Sequence, residues 1–151
     1  MKKSLKMWVK PKIRNLIPTK WQWMVSHPKL LQLGKNTDIG AFSYLQAQCG
    51  IIIGDGVQIG SHCAIYSKST IDNKEGAVRI MDNAKIGSHT TIMPGVTIGE
   101  NTIIGACSFV TKDIQDNCVA YGVPCKVVKR KVHLKQGYIE VDNKRVWMRE
   151  Q

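Results

Sequence analysis

Between Leu33 and Thr111 an aliphatic residue returns every six positions, usually followed by glycine, as in Ile53-Gly54, Ile59-Gly60, Ile86-Gly87, Ile98-Gly99 and Ile104-Gly105. The beat runs Leu33, Ile39, Leu45, then Ile53, Ile59, Ile65, Ile71, then Ile80, Ile86, Ile92, Ile98, Ile104, Val110, with slips near 45–53 and 71–80. Neither the 3.6-residue period of a helix nor the two-residue period of an ordinary strand makes this pattern. A short fixed period marks a solenoid, in which each repeat buries its apolar residue only by stacking on its neighbours. The spacing therefore predicts an all-β parallel β-helix of about five coils over 33–128. Glycine after each aliphatic is expected where the chain turns a corner and a missing Cβ permits unusual backbone angles. The fifth position (Val57, Cys63, Ala84, Thr90, Val96, Thr102, Ser108) is small or β-branched, as a second inward site requires.

Flanking segments divide the chain into a basic cap, 1–32, the helix itself, 33–128, and a tail, 129–151. Pro11, Pro18 and Pro28 bar a long helix from the cap, leaving short helical turns between them. Its Trp8, Trp21, Trp23 and Met24 beside lysines suit either a cover over the first coil or an amphipathic membrane contact. In the tail, Tyr138–Val141 and Arg145–Met148 flank Asp142-Asn143-Lys144 and alternate like a hairpin.

At 151 residues and 43% hydrophobic content, the chain fits one globular domain. It has no apolar run of the roughly 18 residues a transmembrane helix needs, and no signal-peptide pattern. Five cysteines without metal-ligand spacing, three of them (Cys49, Cys63, Cys107) inside the repeats, read as reduced, small apolar residues of a cytoplasmic protein. The charge of +11 comes from the ends: residues 1–35 hold nine Lys or Arg and no acid, and 126–151 hold eight against three acids. Such ends attract anions, phosphorylated small molecules among them, while no nucleic-acid-binding motif or stacking platform is present.

Residues 86–129, IGSHTTIMPGVTIGENTIIGACSFVTKDI followed by VAYGVPCKVVK, resemble the C-terminal signature of the hexapeptide-repeat acyltransferases, in particular the galactoside, maltose and nodulation-factor O-acetyltransferase branch. The resemblance implies a left-handed β-helix, a homotrimer, and acetyl-CoA as acyl donor in the cleft between subunits. It places Ser88, Ala106, Thr111 and Lys112 along the pantetheine and pyrophosphate path. Lys126 and Lys129 fall where the galactoside enzymes carry arginines that meet the CoA phosphates. Lysine holds phosphate as a point charge, without arginine's planar fork.

Attack of a sugar hydroxyl on a thioester needs a proton acceptor, for which histidine is suited near neutral pH. The position aligned with the galactoside branch's loop histidine is Thr70, and Ser69–Val78 contains no histidine. The histidines within the repeats are His62 and His89, each fourth in an identical IGSH hexapeptide. They are the candidate bases, His89 first because it adjoins Ser88; a plain turn role is the alternative. If the 71–80 slip is a looped excursion of one face, the two stack; if it is a hexapeptide plus three residues, they lie on different faces. Asp72, Asn73 and Gln46 are candidates to hold the acceptor. Two repeat histidines fall short of the three protein ligands of a catalytic zinc, so no metal is expected. The expectation is an acetyl-CoA-dependent sugar O-acetyltransferase of polysaccharide or glycolipid synthesis. N-acetylation of a nucleotide-linked amino sugar, where a neutral amine needs a base less, and a non-catalytic trimeric scaffold are the alternatives.

Overall fold

The computed structural model describes residues 7–130, 138–141 and 144–147. The beat residues point inward and stack in three columns, which fixes three faces. The first face is a parallel sheet of β1 (Met24–Ser26), β4 (Tyr44–Gln46), β7 (Ala64–Tyr66), β10 (Thr91–Ile92) and β13 (Phe109–Val110). On it Val25, Leu45, Ile65, Ile92 and Val110 lie in register. The second face comprises β2 (Leu31–Leu33), β5 (Ile51–Ile53), β8 (Val78–Ile80) and β11 (Thr97–Ile98), with Ile114 bridging Ile98. The third comprises β3 (Asp38–Ile39), β6 (Gln58–Ile59), β9 (Lys85–Ile86), β12 (Ile103–Ile104), β14 (Cys118–Tyr121) and an antiparallel β15 (Lys126–Arg130). Nearly every column residue is at most 5% exposed, Leu33 being half-buried. Burying each such aliphatic contributes about 1.5–3 kcal/mol relative to exposure.

Ile71 breaks the expected beat. It is 97% exposed, because Ile53 pairs directly with Ile80 and Ile65 with Ile92, leaving residues 67–77 as an excursion from the corner after β7. That excursion closes on itself through the Lys68↔Glu75 bridge and the Ser69 N–H to Lys74 carbonyl bond of 2.8 Å. The slip near 45–53 is a smaller bulge of the same corner, around Ala47–Gly50, where the Gly50 N–H bonds the Ala47 carbonyl at 2.9 Å.

The glycines after the aliphatics have a different cause from the one expected. Positive φ occurs at Gly50, Gly56, Gly95 and Gly122, not at Gly34, Gly54 or Gly60. What these three share is crowding: a Cβ on Gly60 would lie 2.6 Å from the Ser88 nitrogen, and one on Gly54 2.8 Å from the Asp82 nitrogen. They are glycine because the next coil's backbone passes there. The left-handed turns fall two residues later, at Gly56 after Gly54 and otherwise at non-glycine positions that include Asn36, Phe42, His62, Asn83, His89, Asn101, Cys107 and Asn117.

Strand pairing reaches back to Met24, whose segment aligns with Tyr44–Gln46, so the stack starts ahead of the first beat residue Leu33. Helical structure in the described part of the cap is one 3-10 turn, Pro28–Leu30. The rest is extended or turned, with Asn15 bridging Val25 and the Trp23 side chain buried. In the tail, β16 (Tyr138–Val141) pairs antiparallel with β17 (Lys144–Trp147); Asp142 and Asn143 lie outside the described residues.

Candidate functional site

The corner where the third face turns into the first carries the two candidate bases, and the excursion geometry decides that they stack. His62 and His89 occupy equivalent positions in successive coils, their rings parallel within 7° and 4.7 Å apart. Both backbones are left-handed (φ 57°), and the His89 N–H bonds the Ser61 carbonyl at 3.0 Å. Phe42 continues the column above, its ring 5.1 Å from that of His62, and Cys107 continues it below, its N–H on the Ser88 carbonyl at 2.9 Å. All four side chains are exposed. Phe42 and Cys107 stand fourth in IGAF and IGAC as the histidines stand fourth in IGSH, and Cys107, expected as a small apolar residue, is exposed because this position faces outward at the corner. Among the described residues neither imidazole is hydrogen-bonded to a carboxylate, so ring stacking is what orients them.

The residue before each left-handed position is small: Ala41, Ser61, Ser88, Ala106. The residue after is buried and anchors the corner. Ser43 Oγ donates to the Gly60 carbonyl (2.9 Å), Cys63 Sγ to that of Gly87 (3.2 Å), and Thr90 Oγ1 to that of Gly105 (3.2 Å). Burial pushes the Cys63 thiol pKa up, against weaker lowering by its hydrogen bonds, so it stays a neutral thiol. Cys125 is pushed up by burial in the same way.

Beside this corner a shallow groove of about 610 Å³ runs along the outer surface of the third face, past Gly60, Lys85, Gly87 and Gly105 to Ala106. That sheet ends in the lysine-bearing strand β15, five strand spacings from β3, or about 24 Å. The groove itself stops at β12: Ala106 lies two strand spacings and Ser88 three from β15, whose Lys126 and Lys129 stand beyond its lining. The Lys129 ammonium is buried and has no hydrogen-bond partner among the described residues, an arrangement that favours an anion beside it. Thr111 and Lys112 lie elsewhere: they are exposed beyond β13, at the corner leading into the second face.

The candidate acceptor residues are engaged with the excursion. Gln46 Oε1 accepts from Ser67 Oγ and the Lys68 N–H, both at 3.1 Å, and its amide donates to Gln48 Oε1, also at 3.1 Å. Asp72 pairs with Lys74 at 3.2 Å; hydrogen bonds from Ser69 and Lys74 hold its carboxyl below the usual range. Asn73 takes the left-handed turn at the tip (φ 54°). These three lie on the corner between the first and second faces, the width of the first face from the histidines. No group of three metal-ligating side chains occurs among the described residues.

A triangular stack of hexapeptide coils defines a class, and the comparisons agree with it. Residues 77–112 match the family described as bacterial transferase hexapeptide (six repeats), and residues 31–67 the hexapeptide repeat of succinyl-transferase. The chain belongs to the hexapeptide-repeat acyltransferase family, with the all-β parallel helix expected from its sequence. More particularly, it is 38% identical over 120 residues to galactoside O-acetyltransferase of Escherichia coli K12, covering 70% of this chain and 59% of that enzyme. To the enzyme of the same name from Lactococcus lactis it is 37% identical over 115 residues, covering 66% of this chain and 55% of that one. The chain thus spans somewhat over half the length of these curated relatives. A solved galactoside acetyltransferase in complex with coenzyme A superposes with a TM-score of 0.65 at 29% identity, covering 85% of this chain and 67% of that one.

Proposed function

We propose that the protein transfers an acetyl group from acetyl-CoA to a hydroxyl of a saccharide, as a homotrimer whose donor cleft lies between neighbouring subunits, in cytoplasmic synthesis of a polysaccharide or glycolipid. The observation that carries this reading is the His62–His89 stack beside Ser88, on the flank of a groove along the face whose sheet ends in the strand of Lys126 and Lys129. The galactoside acetyltransferase relative holds coenzyme A on the same fold, which supports CoA as the donor's carrier.

In the proposed reaction the lysines of β15 receive the donor's phosphates, and the small side chains Ser88 and Ala106 leave room for its pantetheine arm. The neutral imidazole of His89 takes the acceptor's hydroxyl proton as the oxygen attacks the thioester carbonyl. Collapse of the tetrahedral intermediate breaks the carbon–sulfur bond. The imidazolium then returns the proton to the leaving thiolate, giving an acetyl ester and free CoA. His62 stacks on His89 and fixes its ring, a role that no carboxylate fills among the described residues. With Thr70 where the galactoside branch has its histidine, the base moves from the excursion to the corner.

Thiol release from acetyl-CoA, followed against sugars, nucleotide sugars and their amino derivatives, tests this reading. A hydroxyl acceptor with a loss of about 10²-fold or more in His89→Ala is the expected result. Reaction of amino sugars alone, with both His62→Ala and His89→Ala active, establishes N-transfer instead. Failure of the chain to bind CoA establishes a scaffold. The donor site has its own check: Lys126→Ala combined with Lys129→Ala is expected to weaken CoA binding about 10-fold or more, and unchanged affinity refutes the assignment.

A further inference from the structure

The described cap residues divide into two sets. One set closes the first coil: Trp23 is 2% exposed, Trp8 donates its indole N–H to the Thr37 carbonyl at 2.9 Å, and Ile13 packs against the core. The other set is exposed, although Met7, Val9 and Trp21 also border a cavity with Trp8, Trp23 and Ile39. Met7 is 88% exposed, Val9 61%, Leu16 53%, Ile17 45% and Trp21 41%. Covering the open coil accounts for the first set but not for the area the second leaves exposed, Leu16 and Ile17 above all.

Cations are interleaved with those outward apolar side chains. Lys10, Lys12, Arg14 and Lys20 are all exposed, and no acidic residue precedes Asp38. Val9, Ile17 and Trp21 line, together with those four cations, a single depression of about 400 Å³. Lys20 Nζ sits 4.3 Å from the centre of the Trp21 ring. Apolar and basic groups thus share one surface instead of lying on opposite sides of the segment. A symmetric pairing of two such surfaces would set cations against cations. A surface that is itself anionic outside and apolar beneath satisfies both sets at once, and that combination is a bilayer with acidic headgroups.

We propose that the outward face of the cap docks the protein on an anionic lipid bilayer, with Ile17, Trp21 and Val9 entering the headgroup boundary and Lys10, Lys12, Arg14 and Lys20 facing acidic headgroups. Docking this way stands the β-helix with its first coil toward the membrane and β15 away from it. His89 is two coil spacings, about 10 Å, from the level of Phe42 in that first coil. If the acetyl transfer proposed above holds, the acceptor class favoured is a saccharide carried on a membrane lipid.

The test is cosedimentation of the full chain, without acetyl-CoA or sugar, with phosphatidylcholine vesicles and with vesicles of equal parts phosphatidylcholine and phosphatidylglycerol. Binding is expected to the second kind only. Ile17→Ser with Trp21→Ser, and separately Lys10→Gln with Lys12→Gln and Arg14→Gln, should each weaken it about 10-fold or more. Thermal melting of the variants confirms that the coil beneath stays folded. Failure to bind either vesicle overturns the proposal, as does equal binding to both. Binding that the Ile17/Trp21 variant retains and salt abolishes identifies a surface for soluble polyanions instead, and also overturns it. Because no acetyl transfer is measured, these outcomes stand apart from the fate of the catalytic reading.

Discussion

Two corners of the same helix solve the same turn with different residues. Where the second face turns into the third, the left-handed positions are Asn36, Gly56, Asn83, Asn101 and Asn117, residue types that adopt positive φ at low cost. The residue before each is Lys35 or an acid (Asp55, Asp82, Glu100, Asp116), and the three aspartates use their carboxylates. Asp55 Oδ1 accepts the Lys35 N–H at 2.7 Å, Asp82 that of Asp55 at 2.8 Å, and Asp116 that of Glu100 at 2.8 Å, a ladder joining coil to coil. Where the third face turns into the first, the corresponding residues are Phe42, His62, His89 and Cys107, each preceded by Ala or Ser. Backbone bonds from coil to coil are kept there, but the carboxylate ladder is gone, and the left-handed backbone is carried by His62 and His89, which tolerate it, and by Phe42 and Cys107, which do not favour it. One corner is built for stability. The other lacks that ladder and presents a bare, stacked column of aromatic, imidazole and thiol groups, where the proposed base lies.

The sharpest way to break this contrast is to attack what the corners share. Alanine at Gly54, before the asparagine corner, or at Gly60, before the histidine corner, drives a Cβ into the next coil's backbone. Each is expected to cost about 3 kcal/mol or more by chemical denaturation, whereas Gly95→Ala, with open space around it, costs about 1 kcal/mol. If Gly60→Ala were harmless, the two corners would not share a scaffold. Next in size, Asn83→Ala should lose about 1 kcal/mol with catalysis unchanged. The mirror change, Phe42→Asn, should gain about 0.5–1 kcal/mol, read as a raised Tm, because asparagine tolerates the φ of 63° that phenylalanine resists.

Cysteine chemistry gives the smallest readout. With its pKa raised by burial, Cys63 holds less thiolate at any pH below that value, so alkylation should reach exposed Cys107 first. Raising the pH speeds the reaction of Cys63 only if the coil opens. CoA should slow labelling of Cys107 several-fold and leave Cys49, at a different corner, unaffected; equal protection of both would detach the donor from the histidine corner.

Much of this architecture was legible because a solenoid repeats one local problem. Leu45, Ile65 and Ile92 had to be inward, since a six-residue period leaves no other way to stack them. Two readings went astray where the answer depended on contact between coils. Gly54 and Gly60 look like turn glycines, yet their φ is ordinary and the demand comes from a neighbouring coil's backbone. Ile71 keeps a plausible interval, but it rides an excursion whose length a single period cannot reveal. Phe42 holds the same hexapeptide position as the histidines. Its exposure and its ring contact with His62 exist only once the coils are stacked.

By itself the sequence determined the helix, its inward columns, the basic ends and the pair of IGSH turns, since each follows from spacing or composition along one chain. Only the tertiary structure decided that His62 and His89 stand ring to ring, that Gln46 and Asp72 serve the excursion on another corner, and that the cap turns one set of side chains inward and another out. The reason is registry. Which residues of different coils meet depends on how many residues each corner absorbs, and that number is set by the packing of the stack rather than by any local pattern.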